Sequence, residues 1–166
     1  MENETLKLCL QALTSRPDAV ELAWNSSIGA DELTVFCHGS DVSKIVGRGG
    51  KTLNALVRLG RVFYAPNRFT IPEVREKQSD DEEAPFTYDQ TVALLGEVCR
   101  TAFRRSVTVR TEEENVWTVT VDGELSRKGA ADTAIAIIDL FEAIGLTIGM
   151  RGANRLRVQI KASTCG

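Results

Sequence analysis

Between positions 45 and 56 the chain reads I-V-G-R-G-G-K-T-L-N-A-L, and its most informative residues are Gly47, Arg48, Gly49 and Gly50. Glycine lacks the Cβ that would hold a bulky ligand away from the backbone. A helix that begins directly after them points its unpaired amide groups at the same place, which favours an anion. Arg48 in the loop and Lys51 just after it add mobile positive charge, and the loop holds no acidic residue. Glycine, amide and cation at one corner suit a sugar-phosphate chain, which is gripped along its backbone.

Two other readings compete. Glycine-rich corners between helices are common where nothing binds. Here Val42, Ile45 and Val46 form an apolar helix face before the loop, and Leu53, Leu56 and Val57 follow it at helical spacing, so the corner is framed on both sides. A nucleotide-binding loop of the form G-x-x-x-x-G-K-[ST] is closer, because Gly50-Lys51-Thr52 has that ending. It would need glycine at position 45, which is Ile45, and a buried strand leading in. Residues 40–46 read instead as a short helix capped by Ser40 or Asp41. The run 134–138 before Asp139, which could serve such a fold as a second strand, continues at helical spacing through Leu140 and Ile144.

No catalytic constellation is legible. His38 has no serine or cysteine partner in a recognisable pattern, and the carboxylates of residues 80–83 stand in a linker, a poor place for acid–base work. A non-enzyme without cofactors is expected. Cys9, Cys37, Cys99 and Cys165 form no C-x-x-C pair and there is one histidine, so no metal site is expected. Cys9 and Cys99 fall on apolar helix faces and read as reduced core residues.

A chain of 166 residues with 43% hydrophobic content can bury one medium core or two small ones. No apolar run approaches the ~18 residues of a membrane span, and the first residues are acidic and polar, so a cytoplasmic protein with no membrane partner is expected. The net charge of −3 argues against a strong non-specific grip on nucleic acid. The acidity is local, however. Residues 1–72 carry 8 Lys/Arg against 7 Asp/Glu, residues 73–87 carry 2 against 6, and residues 88–166 carry 10 against 10. Positive potential at the glycine loop is compatible with this distribution, and weak binding to a short site fits it best.

Around that loop the elements fall into a pattern. Leu6, Cys9, Leu10 and Leu13 predict an amphipathic helix ending near Pro17. Strands are predicted at 20–24 and 33–37 around a turn at 26–31, then the short helix, the loop, a helix over 51–64, and a strand over 68–71 ending before Pro72. Residues 74–86 are polar, charged and nearly free of apolar side chains, which predicts a flexible acidic linker. Beyond it the order restarts. A helix capped by Thr87 or Asp89 runs to Phe103, strands follow at 106–110 and 116–121, an apolar helix at 130–144 and a strand at 156–161. The fold class is α+β, with the order α-β-β-α-α-β in the first half and α-β-β-(α)α-β in the second, an internal duplication at the level of element order. Trp24 and Trp117 each lie on a predicted strand; packing on the sheet is expected for both, rather than stacking on bases.

The first half, with D-V-S-K-I-V-G-R-G-G-K-T-L-N-A-L set in that α-β-β-α-α-β frame, resembles the small bacterial KH-domain RNA-binding proteins of the KhpA type. The resemblance runs from the start to about Val74. It implies a type II KH domain over 1–73, single-stranded RNA as ligand, and a role as an RNA chaperone in post-transcriptional regulation, often with another KH-domain protein as partner. Carried over by position, Gly47, Arg48, Gly49 and Gly50 would track the sugar-phosphate chain with Lys44 and Lys51 flanking it. Val42, Ile45, Leu53 and Val35 would line the groove for bases. Such proteins usually have a single domain, so the second half is a departure.

The second half, 87–166, reads as a degenerate KH-like domain, so two type II KH-like αββααβ units in tandem are expected. At the position equivalent to the first loop stand Arg127, Lys128 and Gly129, which keep charge and one glycine and form a weaker second candidate site. A literal G-x-x-G at Gly149-Met150-Arg151-Gly152 lies between the last helix and the last strand and reads as a connection, with a phosphate-binding role as the weaker alternative. The acidic charge and the apolar helix over 131–140 motivate an alternative. The chain would be a protein-interaction module whose second half mimics a dimer partner, with weak or no RNA binding. Monomer and homodimer both remain open at this level.

Overall fold

The computed structural model describes residues 3–64, 68–125 and 129–163. In the first half, helix α1 (Asn3–Leu13) buries Leu6, Cys9, Leu10 and Leu13 completely, as their spacing requires. Pro17 then opens a single 3-10 turn. Strands β1 (Glu21–Ser27) and β2 (Ala30–Cys37) pair antiparallel through a turn tighter than expected, held by Gly29. Helices α2 (Val42–Val46) and α3 (Lys51–Phe63) follow, and strand β3 (Arg68–Glu76) lies parallel to β2, giving the sheet order β1-β2-β3.

β3 does not stop at Pro72. The β2–β3 register shifts between Glu32 and Thr34, so Ile71 and Pro72 occupy a bulge on an edge strand. That is a place where a residue without an N–H costs no ladder bond. Lys77 N–H still reaches Cys37 O at 2.7 Å. The acidic segment that follows is anchored. Ala84 N–H donates to Ser15 O at 2.9 Å, and the Arg16 guanidinium donates to Asp81 O at 3.0 Å and pairs with Glu83 at 3.6 Å.

The second half follows the plan with one helix fewer: α4 (Tyr88–Phe103), β4 (Val107–Glu113), β5 (Val116–Asp122), α5 (Ala130–Thr147) and β6 (Arg157–Ser163). Among the described residues nothing matches α2, so the expected second α-β-β-α-α-β order is not complete. Thr87, not Asp89, caps α4. Its hydroxyl takes Gln90 N–H while the Gln90 side chain takes Thr87 N–H, a reciprocal pair that closes two orphan donors. β4 is antiparallel to β5 and β5 parallel to β6, the same order and directions as the first sheet. The molecule is therefore α+β, with two three-stranded sheets.

The halves share one core. α3 packs on α5, α1 packs on α4 and α5, and a single cluster of buried side chains runs through both. Thr147 Oγ1 donates to Leu13 O at 2.8 Å across the junction. The start of α3 faces the later turns of α5, and the end of α3 faces its first turn, so the two helices are antiparallel. Gly60 lets α3 come down on β3, since a Cβ there would collide with the Phe69 ring. Both tryptophans pack. Trp117 is fully buried with its N–H on Tyr88 Oη at 3.0 Å and Glu114 O at 3.1 Å, and Trp24 lies edge-on to Tyr64. Among the described residues no helix is long and apolar enough to cross a membrane.

Candidate nucleic-acid interface

α2 ends because Gly47 turns to φ 77°, ψ 170°, although its N–H still closes on Ser43 O at 2.8 Å. Any side chain here would meet Thr52, whose N would lie 2.8 Å from the added Cβ, so glycine is needed on steric as well as conformational grounds. Arg48–Gly50 form one 3-10 turn closed by Gly50 N–H to Gly47 O at 3.1 Å. Gly49 and Gly50 also have positive φ, but open space surrounds their Cβ positions. α3 then starts from Gly50 without a side-chain cap. Two amides at this end are already engaged, Gly50 N–H with Gly47 O and Lys51 N–H with Arg48 O, so the open approach lies along the backbone of Gly49 and Gly50.

The loop is held from behind by Asp41. Its fully buried carboxylate accepts Ser15 N–H at 3.0 Å, Ser15 Oγ–H at 2.9 Å and Arg16 N–H at 3.2 Å, and Lys44 Nζ stands 3.2 Å away. Burial alone would raise the carboxyl's pKa. The Ser15 donors and the Lys44 ammonium outweigh it and hold the group below its ordinary value of 3.8. This fixes the start of α2 against the end of α1, and with it the entry to the loop.

The remaining expected residues divide. Arg48, Gly49 and Lys51 are exposed, and Lys44, Gly47 and Gly50 half-buried, all at one corner. Val42 and Leu53 are half-buried and keep surface that a base could touch. Val35 and Ile45 are fully buried in the core, so they offer no surface to a ligand and cannot line a groove. Arg127 and Lys128 lie outside the described residues. Gly129 N-caps α5 at the opposite end of the α3/α5 pair from the first loop.

Sequence reading missed what the second half brings to the loop. A cavity of about 450 Å³ includes Arg48, Lys51, Asp139, Glu142 and Arg155 in its lining, and a second of about 260 Å³ includes Lys44, Gly47, Arg48, Leu146 and Arg151. The Gly149–Gly152 stretch does connect α5 to β6, and it also carries Arg151 to the first loop. No local signal could have shown this, because residues about a hundred positions apart meet only through the packing of α5 on α3. The carboxylates pair off: Lys51 with Asp139 at 3.5 Å, Arg155 with Glu142 at 3.7 Å. Arg48 and Arg151 are in no ion pair among the described residues. Five cations therefore surround the corner against three carboxylates, counting Asp41.

His38 does find a serine. Its Nδ1 is 2.8 Å from Ser40 Oγ, but the same nitrogen takes Ser40 N–H at 3.2 Å, and Arg16 Nη1 donates to the hydroxyl at 3.0 Å. The imidazole caps the turn that leads into α2, and the hydroxyl is engaged on both sides. Compared with protein-family models and with curated proteins, the chain matches none.

Proposed function

We propose that this protein binds single-stranded RNA at the Gly47–Gly50 corner, in the manner of a type II KH domain, and catalyses no reaction. The observation that carries the reading is the pair of guanidiniums Arg48 and Arg151, in no ion pair among the described residues, beside a loop whose Gly49 and Gly50 leave the approach open. The mixed sheet and the placing of the loop between two helices agree with it. The phosphates lie along the open backbone at Gly49 and Gly50, Arg48 and Arg151 close over the chain, and Val42 and Leu53 take apolar contact with a base. The surplus of cations is small, so the affinity is modest and steeply salt-dependent. A role as a cytoplasmic RNA chaperone follows from the same reading.

The test is Arg48→Asp with Gly49→Asp. Gly49 lies in the left-handed region, which aspartate tolerates better than most residues, so the fold should survive. The variant should lose short oligoribonucleotides while melting like wild type. Unchanged affinity would refute the site.

A second reading, of a protein-interaction module, draws on the packing of α5 over α3. The second half would then stand where a dimer mate packs in single-domain relatives of this design. It predicts a monomer in light scattering, and it becomes the leading account if the wild type binds no RNA.

A further inference from the structure

We infer that a second phosphate-binding surface lies at the far end of the α3/α5 pair, where Arg58, Arg61, Arg104 and Arg105 converge, and that it holds a further stretch of the same single strand. Its ligand is named from the RNA-binding reading above and rests on it.

Arg58 and Arg61, one turn apart near the end of α3, share a cavity of about 280 Å³ with Asp132 and Thr133 of α5. Arg104 and Arg105, at the corner between α4 and β4, share one of about 300 Å³ with Glu124 and Gly129. Val62 and Thr133 line both, so the cavities adjoin. All four arginines are exposed. Arg61 Nε donates to Phe69 O at 3.1 Å and Arg105 Nη1 to Asp122 O at 3.3 Å, which orients two guanidiniums and leaves most of their five donors unused. The side chains of Arg58 and Arg104 make no hydrogen bond or ion pair among the described residues. Neither Glu124 nor Asp132 is paired with any of the four.

Arg104 is a further sign. It follows α4 with φ 54°, the one non-glycine positive φ among the described residues. Helices usually end there on glycine, because a side chain in this conformation costs about 1–2 kcal/mol. An arginine placed at such a cost and left without a partner is motivated by what its guanidinium can bind. Planar guanidinium forks suit phosphate oxygens, and four of them across two adjoining cavities match a chain of phosphates better than one small anion.

The surface also stands where a second loop should be. Gly129 precedes α5 as the Gly47–Gly50 loop precedes α3, and arginines from other elements supply the charge there. Since the helices are antiparallel, the two sites lie at opposite ends of α3, roughly 15 Å apart along its axis. A strand held at both must exceed the about four nucleotides that one KH loop clamps.

The experiment compares wild type with Arg58→Glu/Arg104→Glu on oligouridylates of about 5 and about 15 nucleotides, a length near and one well beyond that of a single loop site. Should the reversed charges impair folding, Arg58→Gln/Arg104→Gln replaces them. The variant should bind the short oligomer as wild type does, lose about tenfold on the long one, and show a salt slope smaller by roughly 1.4, two phosphates' worth. Unchanged affinity for the long oligomer overturns the second surface and leaves the first site standing. Equal weakening for both lengths overturns it too, since that is a general field effect. If wild type binds neither length, the RNA reading fails and this surface fails with it.

Discussion

Lys51 Nζ stands 3.5 Å from Asp139 Oδ1, so the first residue of α3 in one half is paired with the middle of α5 in the other. The pair sits in the cavity that borders the glycine loop. The lysine side chain is 63% exposed and the aspartate 24%, so water screens the attraction and its worth to the fold is small. Its consequence for a ligand is larger. A phosphate at the proposed site would compete with Asp139 for the same ammonium, so the second half sets the charge that the first half presents.

Asp139→Asn should accordingly tighten RNA binding. Freeing one partly screened cation is worth up to about 1 kcal/mol, or about fivefold in affinity at low salt, shrinking as salt rises. Fluorescence anisotropy with a short oligoribonucleotide measures it. A loss of affinity would mean that Asp139 positions Lys51 for the ligand rather than competing with it.

The three loop glycines should not respond alike. Gly47→Ala forces a Cβ into Thr52 as well as into a forbidden backbone region, and should cost about 2–3 kcal/mol and spoil the loop. Gly49→Ala meets only open space, so its cost is the left-handed strain alone, about 1 kcal/mol. Chemical denaturation distinguishes them. Equal costs would show that the contact with Thr52 is not what requires glycine at position 47.

Asp41 gives the fold a dependence on acid. Its carboxyl lies below 3.8 in the folded chain, so the folded state holds that proton less tightly than the unfolded one. The stability it contributes is therefore complete above the unfolded value and is lost as pH falls from there through the lower folded value. Asp41→Asn should cost about 2 kcal/mol at pH 7, and the gap to wild type should narrow below about pH 4. A gap that stayed constant to pH 3 would show that the charge of Asp41 is not what matters.

What the sequence made legible follows from which forces are local. The faces of α1 and α3, the glycine corner and the Thr87 cap are set within a few residues, and they could be read directly. Pro72 misled because a proline normally ends a strand, and only the register against β2 reveals the bulge that absorbs it. Val35 and Ile45 were expected in a groove from the family resemblance alone; apolar residues near a loop serve base or core equally well, and only burial decides between them. Arg151 was legible only as part of a connection with a weaker phosphate-binding alternative, and the four arginines of the second surface were not legible at all. Their meeting depends on α5 lying antiparallel along α3, a relationship no short window contains.

That shared packing makes the two halves one folding unit, and cysteine chemistry can report it. Cys9 on α1 and Cys99 on α4 are fully buried, and burial pushes both thiols up to about 12, with Cys99 near enough to raise Cys9 further. In the intact protein neither should react with iodoacetamide at pH 8, where such thiols stay protonated and shielded. A fragment of residues 1–86 lacks α4 and α5, which cover α1 and α3. The fragment should melt without a cooperative transition, and Cys9 should alkylate readily. A fragment that melted sharply with Cys9 still protected would show that the first half holds a sufficient core of its own, and that the junction is a docking of two finished domains.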